Sequence, residues 1–229
     1  MGLPIFAPCV QADPQVVLTT PLGDITVQLH GDKPQTVANF LAYINDGLYN
    51  NSFAQRLVPG FVLQGGGYTL QGGTTVTSVP TFAPIVNEYS VGQTRSNVFG
   101  TLAMARVSGV VNSATSQWFF NLANNSSLDT VDGGFTVFGD VIAGANVLTL
   151  FNTAFNSQST GGQGVYDASA VLGADFTTLP LLAGSLSSSN LIYTSWAVIP
   201  EPGICSLILT SAFVLFCARI RGPALAGKK

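Results

Sequence analysis

Short strand-like runs separated by turn residues constrain the fold of this chain more than any other feature. Residues 16–20 and 25–29 are alternating or β-branched, and the turn cluster Pro-Leu-Gly-Asp between them predicts a β-hairpin. Further strand-like runs follow, with Gly-rich or Asn-rich turns between them, at 61–64, 98–104, 118–122, 136–138 and 190–199. Many short strands with few helices favour a closed β-barrel, because closure leaves no strand edge exposed.

One segment interrupts this pattern and has the period of a helix. Its apolar residues recur at spacings of three and four: Val37, Phe40, Leu41 and Ile44. This spacing predicts an amphipathic helix that begins at Pro34 and ends before Gly47. A second short helix is expected at 145–150, whereas 156–189 is rich in Ser and Gly and low in charge, which indicates a loop.

The composition excludes several classes of function. The formal net charge is −3 and the chain has only 8 Lys and Arg residues, so it offers no basic surface to nucleic acid. The cysteines, Cys9, Cys205 and Cys217, all lie near the ends, so the region between them must fold without a disulfide or a thiolate metal site. The single histidine, His30, is expected at the surface, and we predict no metal and no cofactor.

The two ends of the chain differ from its middle. Residues 1–12 are apolar and end in the small residues Val10 and Ala12, as signal peptidase sites require, but no basic segment precedes them. We interpret 1–12 as a truncated signal peptide cleaved after Ala12, or else as a disordered tail. At the other end, Pro-Glu-Pro at 200–202 precedes an apolar run at 203–218, which Arg219 and Arg221 follow.

This C-terminal arrangement, 200–229, resembles the PEP-CTERM sorting signal of Gram-negative bacteria, with a hydrophobic helix at 203–218. Basic residues after the run would hold that end in the cytoplasm and leave the rest outside. The resemblance implies export to the cell envelope or beyond, attachment to the membrane through the helix at least transiently, and an exosortase-type peptidase as partner. The run is short for a bilayer span, which usually needs ~20 residues, so a buried helix is the alternative.

Three sequence blocks carry a second resemblance. Residues 53–66 read FAQRLVPGFVLQGG, residues 100–106 and 113–121 read GTLAMAR and SATSQWFFN, and residues 135–141 read FTVFGDV. In order and spacing they resemble the cyclophilin family of peptidyl-prolyl cis/trans isomerases, especially its bacterial members. The resemblance implies a mainly β domain at 13–199, a closed eight-stranded antiparallel barrel capped by two short helices.

The same resemblance implies a catalytic role for Arg56, because a guanidinium beside the prolyl nitrogen can donate to the lone pair of a twisted amide. It implies that proline-containing polypeptides bind Phe61, Val62, Gln64, Ala105, Arg106, Gln117, Phe119, Leu128 and Phe135. The apolar residues would line a proline pocket, and Gln64 and Gln117 would bind substrate or orient the arginine. Ala105 and Arg106 would bind the substrate backbone, although Arg106 could equally be solvated.

Three positions depart from the family pattern. Gln55 stands where many members have His, Ser127 where many have an aromatic residue, and Phe135 where others have His or Tyr. We therefore expect only weak sensitivity to cyclosporin-like ligands. The predicted function is peptidyl-prolyl cis/trans isomerisation in exported proteins, and the alternative is a proline-peptide-binding module or a surface protein with little turnover.

Overall fold

A computed structural model describes residues 13–72, 75–155 and 162–200. The strands in this part of the chain are β1 Gln15–Thr20, β2 Gly23–Leu29, β3 Ser52–Phe53, β4 Arg56–Val58, β5 Val62–Gly65, β6 Tyr68–Gln71, β7 Thr75–Ser78, β8 Thr101–Met104, β9 Trp118–Asn121, β10 Val137–Ala143, β11 Gly164–Tyr166, β12 Leu179–Leu181 and β13 Tyr193–Ile199. The helices are α1 Pro34–Asn45, α2 Ala145–Thr153 and α3 Ser169–Leu172, with 3₁₀ turns at Ser126–Asp129, Val131–Gly133, Ala174–Phe176 and Ser188–Asn190. The predicted N-terminal segment 1–12 and sorting helix 203–218 lie outside the described residues.

Eleven of the described strands form one antiparallel sheet in the order β4-β5-β9-β8-β10-β2-β1-β13-β3-β6-β7. The mainly β fold is confirmed: the sheet is a strongly curled antiparallel half-barrel of eleven described strands, where the prediction had eight in a closed barrel. The segment at Ala54 and Gln55, between β3 and β4, contacts both sides of this sheet. The Ala54 N–H donates to Ile192 O (2.9 Å) and the Gln55 N–H to Gln64 O (3.0 Å), so the chain changes partner strand at this point.

The predicted hairpin is confirmed, since β1 and β2 pair from Gln15 opposite Gln28 to Thr20 opposite Gly23. Alternate residues of both strands are fully buried, which places one face of the hairpin on the core. The core is rich in aromatic rings that meet edge to face. Trp196 contacts Phe40 of α1 with centroids 5.0 Å apart and Trp118 of β9 with centroids 5.2 Å apart.

Helix α1 begins at Pro34 as the spacing predicts, and its free N–H groups are capped from a distant loop. Glu88 accepts hydrogen bonds from the backbone N–H groups of Gln35 (3.1 Å) and Thr36 (2.7 Å). The buried Lys33 donates from Nζ to the carbonyl oxygens of Glu88 (2.9 Å) and Tyr89 (3.2 Å), so its charge is satisfied by backbone dipoles. Helix α2 is also confirmed and extends three residues beyond the predicted end at 150.

Two expectations are corrected in the described residues. The segment expected to be a loop contains β11, α3 and β12, because Phe176 and Leu179 are buried in a second apolar cluster with Phe53. The segment is rich in serine and glycine, but the apolar residues between them make it fold. His30 is not a surface residue: it is 7% exposed, and its Nε2 lies 3.3 Å from the Asp140 carboxylate.

None of the described helices is long and apolar enough to cross a bilayer.

Candidate active site

Register across four strands places one row of side chains on the outer face of the sheet. Arg56 pairs with Gln64, Gln64 with Phe119, and Phe119 with Ala103. Directly paired residues share a face of the sheet. The adjacent row is fully buried in the core and consists of Leu57, Leu63, Phe120 and Leu102. Arg56, Gln64 and Phe119 therefore lie side by side on the opposite face because alternate residues of these strands are needed inside.

An apolar cluster separate from the main core covers this outer face. Its buried members are Val62, Ala103, Phe119 and Val137, and its partly buried members are Phe61, Ala105, Leu128 and Phe135. The rings of Phe119 and Phe135 meet edge to face with centroids 5.8 Å apart. A half-exposed, aromatic-lined surface of this kind suits a small apolar ring such as that of proline.

Arg56 lies at the edge of this cluster with its guanidinium unengaged. The side chain is half-buried, and its Cζ lies 5.8 Å from the centroid of the Phe61 ring. Among the residues that the structure describes, none forms a hydrogen bond or an ion pair with the guanidinium. Burial lowers the pKa of Arg56 from its ordinary value, yet a guanidinium remains protonated at neutral pH. The site thus holds a fixed positive charge whose donors are free.

Three glutamines form a network beside that charge. Gln117 Oε1 accepts hydrogen bonds from Gln55 Nε2 (2.8 Å) and Gln64 Nε2 (2.7 Å). The Oε1 of the buried Gln55 in turn accepts from the backbone N–H of Gly67 (3.3 Å). These bonds fix the orientation of each amide, and within the described residues the Gln117 NH₂ group keeps no partner. The network leaves that donor for a ligand.

Arg106 has the opposite environment. Its Nη2 donates to the carbonyl oxygens of Val131 (2.8 Å) and Asp132 (3.2 Å), and its Nη1 lies 3.6 Å from the Asp132 carboxylate. Its Cζ lies 4.2 Å from the centroid of the Phe135 ring, and its side chain is 3% exposed. The alternative that Arg106 is solvated is therefore wrong. A contact between substrate and the Arg106 backbone stays a prediction.

The apolar cluster, Arg56 and the glutamine network together line one groove, and the remaining predicted residues lie around it. Ala105, Gln64 and Gln117 line a pocket of about 140 Å³. Leu128 is half-buried against the apolar cluster, and its neighbour Ser127 is exposed on a 3₁₀ turn. In the described part of the chain, no three His, Cys, Asp or Glu side chains lie close enough together to hold a metal ion.

Sequence reasoning missed several residues of the site. Ala103 and Val137 belong to the buried part of the apolar cluster, and the alternation of their strands could have found them, since Leu102 and Phe138 face the core. The sequence indicates Gln55 only as a departure from the family pattern, whereas in the structure it anchors the glutamine network. No sequence signal predicts that network, because it depends on three segments of the chain meeting.

Comparison with known proteins gives consistent findings. The family model for cyclophilin type peptidyl-prolyl cis-trans isomerase matches residues 15–166. A peptidyl-prolyl cis-trans isomerase of Acinetobacter baylyi is 41% identical over 140 residues, which are 60% of this chain and 71% of that one. Isomerase A of Dickeya dadantii is 40% identical over 152 residues, 64% of this chain and 76% of that one.

A solved structure shares the fold. It is a cyclophilin type peptidyl-prolyl cis-trans isomerase of Cryptosporidium parvum, crystallised in the presence of the dipeptide Ala-Pro. It aligns with a TM-score of 0.54 at 19% sequence identity and covers 82% of this chain and 99% of that one.

Proposed function

This chain belongs to the family of cyclophilin-type peptidyl-prolyl cis-trans isomerases, and we propose that it accelerates X–Pro rotation through the unengaged guanidinium of Arg56. Rotation about the X–Pro bond has a barrier of ~18–20 kcal/mol, because the amide loses its resonance as it twists. The twisted amide differs from the planar one in its nitrogen lone pair, which is then localised. A catalyst therefore needs a donor at that nitrogen and needs no nucleophile.

Arg56 can supply that donor. Its guanidinium is charged, half-buried and without a partner among the described residues, so a bound amide can take its N–H groups without breaking an existing bond. A hydrogen bond from the guanidinium to the prolyl nitrogen forms only as the lone pair localises. Such a bond stabilises the transition state more than the planar substrate and raises kcat. The free guanidinium is the single observation that carries this proposal.

The apolar cluster supplies the binding surface for the ring. Phe61 lies against the Arg56 guanidinium, and Phe119 and Phe135 form an aromatic corner beside it. A proline ring held there would have its nitrogen next to the guanidinium. The Cryptosporidium relative was crystallised in the presence of Ala-Pro, which supports proline-containing peptides as the substrate class.

The glutamine network would hold the substrate backbone. Gln117 has its carbonyl occupied by Gln55 and Gln64, so its NH₂ group points to a ligand as a fixed donor. A peptide carbonyl next to the proline is the group that such a donor fits. Holding the proline and the backbone on one side of the X–Pro bond would let the other side rotate.

Acceleration of isomerisation of an Ala-Pro peptide tests this proposal. We expect the purified chain to accelerate it and Arg56→Ala to lower kcat/KM by about 10²- to 10³-fold, the loss typical of one transition-state donor. Arg95→Ala is the matched control, since it removes an arginine whose partner is Asp32, outside the groove. A folded chain without activity, or Arg56→Ala with full activity, would contradict the proposal.

We also propose export, and only the sequence of the tail supports it. The Pro-Glu-Pro motif, apolar run and basic residues of 200–229 resemble a PEP-CTERM signal, which implies a membrane-bound stage and an exosortase-type peptidase. The clients would then be proteins outside the cytoplasmic membrane. Cell fractionation with a C-terminal epitope tests this, and a stable full-length signal in the cytosol would contradict it.

A further inference from the structure

A second pocket opens beside Arg56, and part of its wall comes from a segment that the family model does not cover. The pocket has a volume of about 260 Å³ and shares Arg56, Gln64 and Gln117 with the groove. Its other wall includes Tyr68 and Asp175. The match to the family model ends at residue 166, so the likeness to the family does not assign Asp175 any role.

This wall is held in place rather than loosely attached. The Leu57 N–H, next to Arg56 on β4, donates to Thr178 O at 2.8 Å and ties the segment to that strand. Phe176 is 2% exposed, and its ring lies 4.6 Å from that of Tyr68 and 6.3 Å from that of Phe53, measured between centroids. The buried ring anchors the 3₁₀ turn that carries Asp175, so the carboxylate has a defined position beside the groove.

The carboxylate of Asp175 is oriented but not neutralised. The Tyr68 hydroxyl donates a hydrogen bond to Oδ2 of Asp175. Burial, followed by this bond and the charge of Asp175, raises the pKa of Tyr68 to about 12, so the phenol stays a donor throughout the physiological range. In the described residues, no Lys, Arg or His pairs with Asp175. Arg56 and Asp175 therefore present opposite charges to one pocket without cancelling each other.

We propose that Asp175 makes the enzyme prefer substrates with a lysine or arginine within two residues of the proline. The proposal rests on the proposed function, because it requires the X–Pro bond to lie at Arg56. A peptide in that position has its neighbouring side chains next to the pocket wall. A cationic side chain would reach the free oxygen of the carboxylate, whereas a glutamate would be repelled.

The size of the preference follows from the exposure of Asp175. Ion pairs at exposed positions change binding by about twofold to fivefold, and they weaken as salt is added. The attraction is equal for the planar and the twisted amide, since Asp175 does not touch the reacting bond. The preference is therefore expected in KM, with kcat unchanged.

The test compares peptides that differ only in one residue flanking Ala-Pro: Lys, Gln or Glu, placed at each flanking position in turn. At low salt we expect the full chain to prefer Lys over Gln by about twofold to fivefold at one position, and to disfavour Glu similarly. Asp175→Asn keeps an acceptor for Tyr68 and should bring the three peptides within about twofold of one another. Asp24→Asn is the matched control, since it removes an exposed carboxylate of β2 that does not line the groove, and it should keep the preference of the wild type.

Three results would overturn the proposal. The first is the absence of a Lys preference in the wild type at low salt, and the second is a preference that persists unchanged in Asp175→Asn. The third is a preference that stays intact in 0.5 M KCl, where the screening length is about 4 Å. The last needs no variant, so a failure of Asp175→Asn to fold leaves the proposal testable. If no peptide is turned over, the proposed function fails first. The Kd values of the same three peptides then decide whether Asp175 selects a basic residue.

Discussion

Arg56 and Arg106 lie on one groove and are surrounded in opposite ways. The guanidinium of Arg56 is half-buried and has no hydrogen-bonding or charged partner among the described residues. That of Arg106 is almost fully buried, bonded to the carbonyl oxygens of Val131 and Asp132 and stacked on Phe135. The same type of side chain thus has two different environments. The guanidinium of Arg56 has unengaged donors, whereas Nη2 of Arg106 donates to a loop that forms a wall of the pocket.

This difference follows from position in the fold. Arg56 is on β4, a strand at the end of the sheet, where one side faces the groove. Arg106 follows β8, a strand inside the sheet, and the 131–134 loop folds over it. The Gly109 N–H donates to the Asp132 carboxylate (3.0 Å), which ties the chain after Arg106 to the same loop. The Arg106 side chain accordingly packs on Phe135 and contacts this loop.

Matched lysine substitutions should separate the two roles with the largest effects. Arg56→Lys keeps the charge but loses the planar fork, so we expect kcat to fall by about tenfold or more with unfolding free energy changed by less than ~0.5 kcal/mol. Arg106→Lys should lower the unfolding free energy by ~1–3 kcal/mol, because the buried guanidinium loses its hydrogen bonds to the 131–134 loop and its stacking on Phe135. Urea unfolding and peptide kinetics on both variants measure this. Equal stability losses in the two would break the comparison.

A methyl group at Gly67 should disturb the amides beside Arg56. A Cβ there would lie 2.6 Å from Gln55 Nε2 and 3.0 Å from Gln117 Cδ. Gly67→Ala should therefore displace the network, destabilise the fold by ~1–3 kcal/mol and raise KM more than it lowers kcat. Gly67→Ala combined with Gln55→Ala restores the space and should recover part of the stability. Unchanged KM in Gly67→Ala would show that the network does not bind substrate.

The smallest expected effect is a change in the pH dependence of stability, and it concerns Asp129, next to Leu128. Burial alone would raise the pKa of Asp129, but hydrogen bonds from Ser96 and Asn97 outweigh it and hold the pKa below its ordinary value of 3.8. A carboxyl whose pKa is depressed by folding stabilises the fold above about pH 3.8. That contribution is lost as the pH falls through the lower folded value.

Asp129→Asn should therefore flatten the pH dependence of unfolding below about pH 3.8, where the wild-type carboxylate is protonated as the pH falls through its lower folded pKa. Asp24→Asn serves as the comparison, since Asp24 is exposed on β2. An unchanged slope in Asp129→Asn would contradict the role given to this carboxyl.

Much of the fold could be predicted from the sequence, because it depends on local patterns. Alternation gave the hairpin and most central strands, and the spacing of Val37, Phe40 and Ile44 gave α1. The number of strands could not be predicted. The chain also changes partner strand at Ala54 and Gln55, and such a change depends on long-range contacts. The burial of His30 depends in the same way on Asp140 of a neighbouring strand.

For the candidate site too, the sequence indicates individual residues, but their long-range contacts could not be predicted. The motif around Arg56 indicates which residues to examine, and the structure brings Phe61, Phe119 and Phe135 together in one cluster. The sequence cannot show that Arg106 turns into a loop instead of toward substrate, since the loop lies 25 residues further on. Nor can it show that Asp175, from a segment low in charge, reaches the pocket of Arg56. Tertiary contacts determine where both side chains lie.

The central claim is that Arg56 acts on the twisted amide and contributes little to holding the planar one. Exchange NMR of an Ala-Pro peptide in complex with Arg56→Ala tests this most directly, because it measures binding and interconversion of the bound cis and trans forms separately. We predict a Kd within about threefold of the wild type and bound-state exchange slowed by about 10²-fold or more. A large rise in Kd with bound-state exchange at the wild-type rate would contradict the claim.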